Sequence, residues 1–319
     1  MDVSSNPWDY NVFAFGDVNV KWSDSEGKVA GQGNVYIESY NVGSKSESSL
    51  YSVVGGGDVV FKYGTVHNGG LYSGGKADIY SATIHGTVAA RGDLNVYWGG
   101  TYDGNFIVGG NDNIPEYLEG KLVHADPGSV PVDFAAAKSE MIALSSYYSS
   151  QSNASVDKNG YEYTLVGTND VNYFTLTAEE LSTVSSLTID IAEGAKAIIN
   201  VSGTSASVGN FQFFDSYGNE FLDAQSVLFN FYDATDIVFG NVGIKGSVLA
   251  VNAHVDFNQS GQKGVYIDGN MIATSVSGSG EFHSKLFTPP PQNVPEPASL
   301  AFLATGTLIL GLFARKKRS

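Results

Sequence analysis

The sequence predicts an all-β protein with one long helix: a β-solenoid of short strands stacked coil on coil, with an amphipathic helix packed alongside. Three observations lead there. Charged residues make up only 16% of the 319-residue chain, while Gly (38), Tyr (18) and Phe (18) are abundant; that balance suits strands joined by tight turns better than helices. A motif of apolar residues, Gly, a polar residue and apolar-x-apolar recurs from Phe13 to Ile114, with glycines at 57, 75, 92 and 110 spaced by 18, 17 and 18 residues. A repeat that short cannot bury its own apolar face and has to stack on its neighbours. Apolar residues at sustained helical spacing occur once, from Phe134 to Tyr148.

Taken in order, residues 1–7 read as the remnant of a leader. Met1–Trp8 has neither the basic start nor the apolar run of a secretory signal peptide, so the expected export signal lies upstream or has been removed. The repeat opens at Phe15-Gly16-Asp17-Val18-Asn19-Val20 and has clear copies at Val29–Ile37, Val53–Phe61, Leu71–Ile79 and Val88–Val96, with a weaker one at Phe106–Asn111. Alternating apolar residues predict strands, and each Gly-Asn or Gly-Asp pair is expected to supply a positive φ at a corner. The 24-residue step from Gly33 to Gly57 interrupts the period. It leaves a row of independent hairpins in a sandwich as the alternative architecture.

Pro127 and Pro131 end the repeats, and Asp133 is a good N-cap for a helix from Phe134 to about Ser149. Phe134, Ala137, Met141, Leu144 and Tyr148 form one stripe, which must lie on the side of the solenoid. Ser150 to Lys158 reads as a polar loop and Asn159-Gly160 as a turn. Strands follow at Tyr161–Val166, Val171–Leu176, Leu187–Ile191, Ala197–Val201 and Val227–Phe231, with a capping-box spacing at Thr177 and Glu180. The coil pattern returns at Gly246, and Val265–Met271 repeats the N-terminal register. Both ends are thus built alike, which predicts one folded domain over residues 8–288. Residues 289–293, containing Pro289-Pro290-Pro291, form a stiff spacer.

The chain ends in Val294-Pro295-Glu296-Pro297, an uncharged apolar run over 298–314, and Arg315-Lys316-Lys317-Arg318. As a helix the run spans roughly 25 Å, enough for a short transmembrane segment, and the basic cluster places its end on the cytoplasmic side. These three parts in order resemble the PEP-CTERM sorting signal of Gram-negative bacteria. The resemblance implies processing by an exosortase that recognises Val294, Pro295, Glu296 and Pro297, with Arg315, Lys316, Lys317 and Arg318 as the cytoplasmic anchor. It also implies a host that makes extracellular polysaccharide, and delivery to the cell surface or matrix after a transient stay in the inner membrane.

The rest of the chain resembles the choice-of-anchor A family of surface proteins. The matching stretches are Tyr10–Asp17, Ser25–Ala30, Asp133–Ala137, Val227–Phe231, Ile244–Ala250 and Glu281–His283. The resemblance implies a fold like that of ice-binding β-solenoids, which also lay a long helix beside the coils, and it brings no catalytic residues with it.

The composition excludes several functions. A net charge of −16 repels nucleic acid, and the absence of Cys removes disulfides and thiolate metal sites. His67, His85, His124, His254 and His283 lack metal-ligand spacing, though His67 and His85, 18 residues apart, are placed to stack as a surface ladder. No nucleophile elbow, zinc-protease helix or phosphate loop is present. Arg91-Gly92-Asp93 spells an adhesion tripeptide but falls on the repeat's corner. No cofactor or metal is expected.

The expected function is therefore a non-enzymatic surface or matrix protein contributing to adhesion or biofilm, with exopolysaccharide or a host surface as partner. Tyr36, Tyr80 and Tyr97 are the exposed aromatic candidates among the recurring tyrosines, which include Tyr72. Two alternatives remain: ice binding, disfavoured by the mixed outward residues Asn34, Asp58, Lys76 and Asp93 and by the lack of a regular Thr ladder, and a polysaccharide-active enzyme with paired carboxylates on adjacent coils.

Overall fold

Each clear copy of the repeat folds into three short strands that make one coil. Lys28–Gly31, Val35–Glu38 and Asn41–Val42 form one; Tyr51–Gly55, Val59–Lys62 and Thr65–Val66 the next; then Gly70–Ser73, Ala77–Tyr80 and Thr83–Ile84; then Val88–Ala90, Leu94–Tyr97 and Thr101–Tyr102. Neighbouring coils pair in parallel, with Val35 opposite Val59, Phe61 opposite Ile79 and Ile79 opposite Val96. Like residues therefore stack at the strand spacing of about 4.8 Å, and the inward apolar positions form one continuous core. The computed structural model describes residues 3–209, 211–257 and 264–291. This is the predicted β-solenoid. The 24-residue step is a corner loop, 43–50, inserted between Val42 and Tyr51 without disturbing the pairing on either side.

The spatial order of the coils is not their sequence order. The first coil, Tyr10–Ala14, Val18–Lys21 and Asp24–Ser25, pairs on one side with Lys28–Gly31 and Val35–Glu38. On its other side it pairs with the last coil, Val12 opposite Met271, Val18 opposite Val276 and Ser25 opposite Phe282. The chain thus starts in the middle, winds outward to Phe106–Val108 and Leu122–His124, and crosses to the other end. It restarts there with Val171–Thr177 and winds back through Lys196–Ser202, Val227–Phe231 and Ser247–Phe257 to Met271–Gly278.

The second half of the crossing is made by helix α1, Phe134–Ser149, with Asp133 accepting from the Ala136 amide at 3.0 Å as the predicted N-cap. Its stripe Phe134, Ala137, Met141, Leu144 and Tyr148 is buried, Phe134 against Phe13 and Tyr148 against Tyr173. The strands beneath are therefore covered on both sides. Every residue of Tyr10–Ala14 and Val227–Phe231 is buried, whereas Val35–Glu38, on the next face, alternates. Asn230 and Asn200 sit under the helix, donating to the carbonyls of Ser145 and Tyr148 at 2.9 and 2.8 Å. A buried amide pair is tolerated because its hydrogen bonds are made. Helix α2, Ala178–Thr183, starts at Thr177 with the predicted capping box.

Three expectations need correction. Gly33, Gly57, Gly75, Gly92 and Gly110 do not adopt positive φ. Gly is required at four of them because a Cβ on Gly33, Gly57, Gly75 or Gly110 would run into the side-chain oxygen of Asp17, Asn34, Asp58 or Asp93 one coil below. Those oxygens accept backbone amides of the next coil: Asp17 from Asn34 at 2.7 Å, Asn34 from Asp58 at 2.9 Å, Asp58 from Lys76 at 2.7 Å, Asp93 from Asn111 at 2.8 Å. The Gly-Asx pair is thus a coil-to-coil clasp, and Asp93 of Arg91-Gly92-Asp93 belongs to it. The polar stretch after α1 is not all loop. Ser155–Asn159 pairs antiparallel with Glu162–Val166, because the edge it covers asks for backbone rather than apolar side chains. Strands Ser205–Gly209, Gln212–Asp215 and Asp236–Gly240 were also unexpected. Val294–Pro297, the apolar run 298–314 and Arg315–Arg318 lie outside the described residues. Among the described residues no helix is long and apolar enough to cross a membrane.

The seam between first and last coils carries its own polar clasps. Asn11 donates to the carbonyls of Gly269 and His283, each at 2.7 Å, and Asn270 to those of Trp8 and Tyr10 at 3.0 and 2.6 Å. Beside them Asp268, only 2% exposed, meets His283 Nδ1 at 2.5 Å, Lys245 at 3.2 Å and Lys285 at 3.4 Å, while His283 Nε2 lies 2.9 Å from Glu281. Burial pushes the Asp268 carboxyl up, but the His283 hydrogen bond and the two lysines outweigh it and hold it at about 2. The bond to Asp268 raises His283 to about 9 despite its partial burial.

Two outcomes are expected. Met141→Asp places a charge in the fully buried seam between α1 and the sheet and should cost about 3 kcal/mol or more, read as a large fall in Tm by circular dichroism; an unchanged Tm contradicts the packing. His283, raised in the folded state, contributes stability that is complete below its ordinary value of 6.5 and lost as pH rises through about 9. Asp268 contributes above its ordinary 3.8 and is lost as pH falls toward about 2. Tm should therefore decline between pH 6.5 and 9, and His283→Gln should flatten that decline. An identical slope in the variant would show that the cluster does not carry it.

Candidate functional site

The solenoid has three faces, and they differ in what covers them. The first strands of the coils lie under α1 and the segment before it, where Tyr72 is buried and donates to the Gly128 carbonyl at 2.9 Å. The second strands form a broad face that alternates buried and partly exposed positions. The third strands, two residues long through most of the N-terminal coils, make a narrow face.

On the broad face the pairing register stacks Asn19, Tyr36, Val60, Asp78 and Asn95 in one outward column, and Lys21, Glu38, Lys62, Tyr80 and Tyr97 in the next. Tyr36, Tyr80 and Tyr97 point outward as expected but are half-buried rather than exposed, because they pack on their neighbours in the columns, whereas Tyr72 is core. The Tyr80 and Tyr97 rings stack at 4.6 Å, and the Lys62 ammonium lies 5.1 Å from Tyr36 and 5.0 Å from Tyr80. Tyr36 donates to Glu38 at 2.6 Å, and that bond raises its pKa. The Tyr36 oxygen in turn raises Lys62, which stays charged.

The corner where the broad face turns into the narrow one holds what the sequence reading missed. Trp22, Ser39, Tyr63, Ser81 and Trp98 occupy equivalent places in five successive coils, with φ of 59°, 50°, 55°, 44° and 59°. The amides of Trp22, Ser39, Tyr63 and Ser81 donate to the carbonyls of Glu38, Lys62, Tyr80 and Tyr97, continuing the parallel ladder. This left-handed conformation costs a non-glycine residue about 1–2 kcal/mol. Trp22 and Trp98 are each 65% exposed and Tyr63 49%. Burial therefore does not account for these rings. A detectable signal did exist: each of the three lies two residues beyond the last apolar position of its repeat copy (Val20, Phe61 and Val96), in alternate coils.

The narrow face corrects another expectation. Thr65, Thr83 and Thr101 stack in register, a three-rung Thr column continued by Asn41 and Asp24. It is one residue wide. Next to it the His67 and His85 rings lie 6.4 Å apart, the predicted ladder, and His85 contacts Asp103 at 2.5 Å.

Two clefts among the described residues hold titratable side chains. A cleft of about 440 Å³ is lined by Phe211, Phe213, Glu220, Val242, Lys245 and Tyr266, and its acid and base, Glu220 and Lys245, are paired at 2.9 Å. A larger one of about 840 Å³ presents Asp190, Glu193 and Asp215; hydrogen bonds from the Asn219 amide and side chain and the Tyr217 and Gly218 amides outweigh solvent loss and lower Asp215, so it remains an anion. Among the described residues no group of three or more His, Asp or Glu is placed to hold a metal.

Residues 8–284 match the family described as "Putative Ice-binding-like adhesive domain". Residues 293–318 match the PEP-CTERM protein-sorting motif, which implies exosortase processing and covers Val294–Pro297 and Arg315–Arg318. No curated protein and no solved structure matches the chain. The matched region takes in every coil and the crossing helix, and the chain belongs to the ice-binding-like adhesive domain family.

Proposed function

We propose that the protein is a non-enzymatic adhesin of the cell surface or extracellular matrix, exported and processed by exosortase. One observation carries the reading: the solenoid leaves a broad, rigid sheet face uncovered and lines it with tyrosines, lysine and small polar groups rather than with a catalytic cleft. The sorting motif and the adhesive family support delivery to a surface. The resemblance to choice-of-anchor A surface proteins agrees with both. In this reading residues 8–288 are the adhesive domain, 289–293 the spacer and 294–319 the address. The run 298–314 spans the inner membrane until processing, with Arg315–Arg318 on the cytoplasmic side. The matrix polysaccharide or a host surface is the partner, held weakly per site and strongly by many copies.

Ice binding is the second reading, favoured by the Thr65–Thr83–Thr101 column and by the family. The column is a single residue wide, and the broader face is interrupted by Tyr36, Lys62 and Tyr80, so neither offers a flat regular lattice.

Two measurements test the proposal. Mass spectrometry of the protein recovered from the producing cell's surface should show a new C-terminus near Val294–Pro297, with 298–319 missing; an intact tail in mature material rejects the processing step. The full chain should be retained on the producer's own exopolysaccharide without releasing sugar and without inhibiting ice recrystallisation at micromolar concentration. Sugar release would establish an enzyme, and ice activity would establish the second reading.

A further inference from the structure

We infer that Trp22, Tyr63 and Trp98 form a stacking strip for an extended, equatorially linked polysaccharide running along the solenoid axis. The inference rests on the adhesin reading and names its ligand class and site. The three rings stand at one corner in the first, third and fifth coils, with Ser39 and Ser81 at the same corner in the coils between. At the coil spacing, successive rings are about 10 Å apart and the strip is about 20 Å long. The arrangement is linear, periodic and parallel to a long axis, which suits a linear periodic ligand.

The chemistry of the strip selects among such ligands. An aromatic ring binds the C–H face of a flat pyranose, while hydroxyl and charged groups beside it meet the sugar hydroxyls. Here Ser39, Ser81, Lys21, Glu38 and Lys62 supply those groups, with Lys21 itself 4.5 Å from the Trp22 ring and Tyr80 flanking Trp98 at 5.7 Å. A chain with equatorial linkages turns its rings alternately, so every second ring presents the same face, matching one aromatic ring per two coils. A helical, axially linked chain does not keep that alignment. Membranes and protein partners prefer a contiguous apolar patch, and the serines interrupt this one. Nucleic acid is repelled by the net charge of −16.

Backbone strain points the same way. Asn or Gly would adopt the left-handed corner more easily than Trp or Tyr. The two tryptophans are also mostly in solvent and Tyr63 is half-buried, so core packing does not call for them.

The test is the triple variant Trp22→Asn, Tyr63→Asn, Trp98→Asn in the full chain. Its Tm should stay close to the parent's, since the strain relieved at three corners offsets the partial burial that is lost. The parent should be retained on amorphous cellulose or chitin and not on starch, and the variant should lose at least ten-fold in retention. Of the three tryptophans only Trp8 is buried. Soluble cello- or chito-oligosaccharides should therefore shift the parent's fluorescence and protect it from acrylamide quenching. Equal retention by parent and variant overturns the strip while leaving adhesion intact. No parent retention on either extended polymer, or stronger retention on starch, overturns the ligand class. A large fall in Tm for the variant would assign the rings a structural role and overturn the inference.

Discussion

The structure depends on one long-range pairing, between Tyr10–Ala14 and Met271–Gly278. A parallel coil is stable only when a neighbour covers its core opening and its backbone edge on both sides. The first coil has a neighbour on one side as soon as the second forms. On the other side it waits for residues near 270, with Val12 opposite Met271. The clasps made by Asn11 and Asn270 and the charge cluster around Asp268 gather at this seam because it is the one junction that chain continuity does not help to form. Such contacts of high sequence separation make folding slow. They also make the body one cooperative unit rather than two abutting stacks.

The same topology determines which face is free. To restart at the far end the chain has to travel the length of the solenoid: the segment before α1 passes over the N-terminal coils, where Gly128 accepts from Tyr72, and α1 covers the other half, from Phe13 to Tyr173. A helix laid on a sheet must bury a stripe, so the first-strand face is lost to solvent and its strands become apolar on both sides. The other faces then need only one apolar side, and their outward positions are released from packing. Tyr36, Lys62, Tyr80 and Tyr97 occupy positions that the fold does not dictate. Their identity therefore carries information about use.

Much of the fold was legible because two periods dominate it. Coil-length spacing and strand alternation located the N-terminal strands, and a three-and-four spacing located α1 with its cap. The C-terminal half was less legible. Its strands Ser205–Gly209 and Asp236–Gly240 lack the Gly-Asx clasp that marks the first half, and Ser155–Asn159 is held by backbone pairing with scarcely an apolar residue to announce it. The joining of first and last coils was hinted at by their shared register, but nothing local in a sequence states which strand pairs with which. The site was only half legible. Alternation pointed to Tyr36, Tyr80 and Tyr97. Trp22, Tyr63 and Trp98 fell where a polar turn residue is the ordinary expectation, and there an aromatic looks like noise until the coils are aligned.

Comparing two corners of one coil resolves that ambiguity. At the corner between the first and second strands, Gly is used where a Cβ would strike the Asx side chain below, and the φ values are ordinary. At the corner between the second and third strands, five successive residues take the left-handed conformation and none of them is Gly. The chain, with 38 glycines, is not short of the residue that would relieve this strain. A uniform run of serines would also hold the turn, as Ser39 and Ser81 do. The aromatic rings between them add exposed apolar area and backbone cost without adding core. Packing explains the first corner. For the second, core packing gives no such reason, and the proposed strip, spaced like the coils themselves, supplies one.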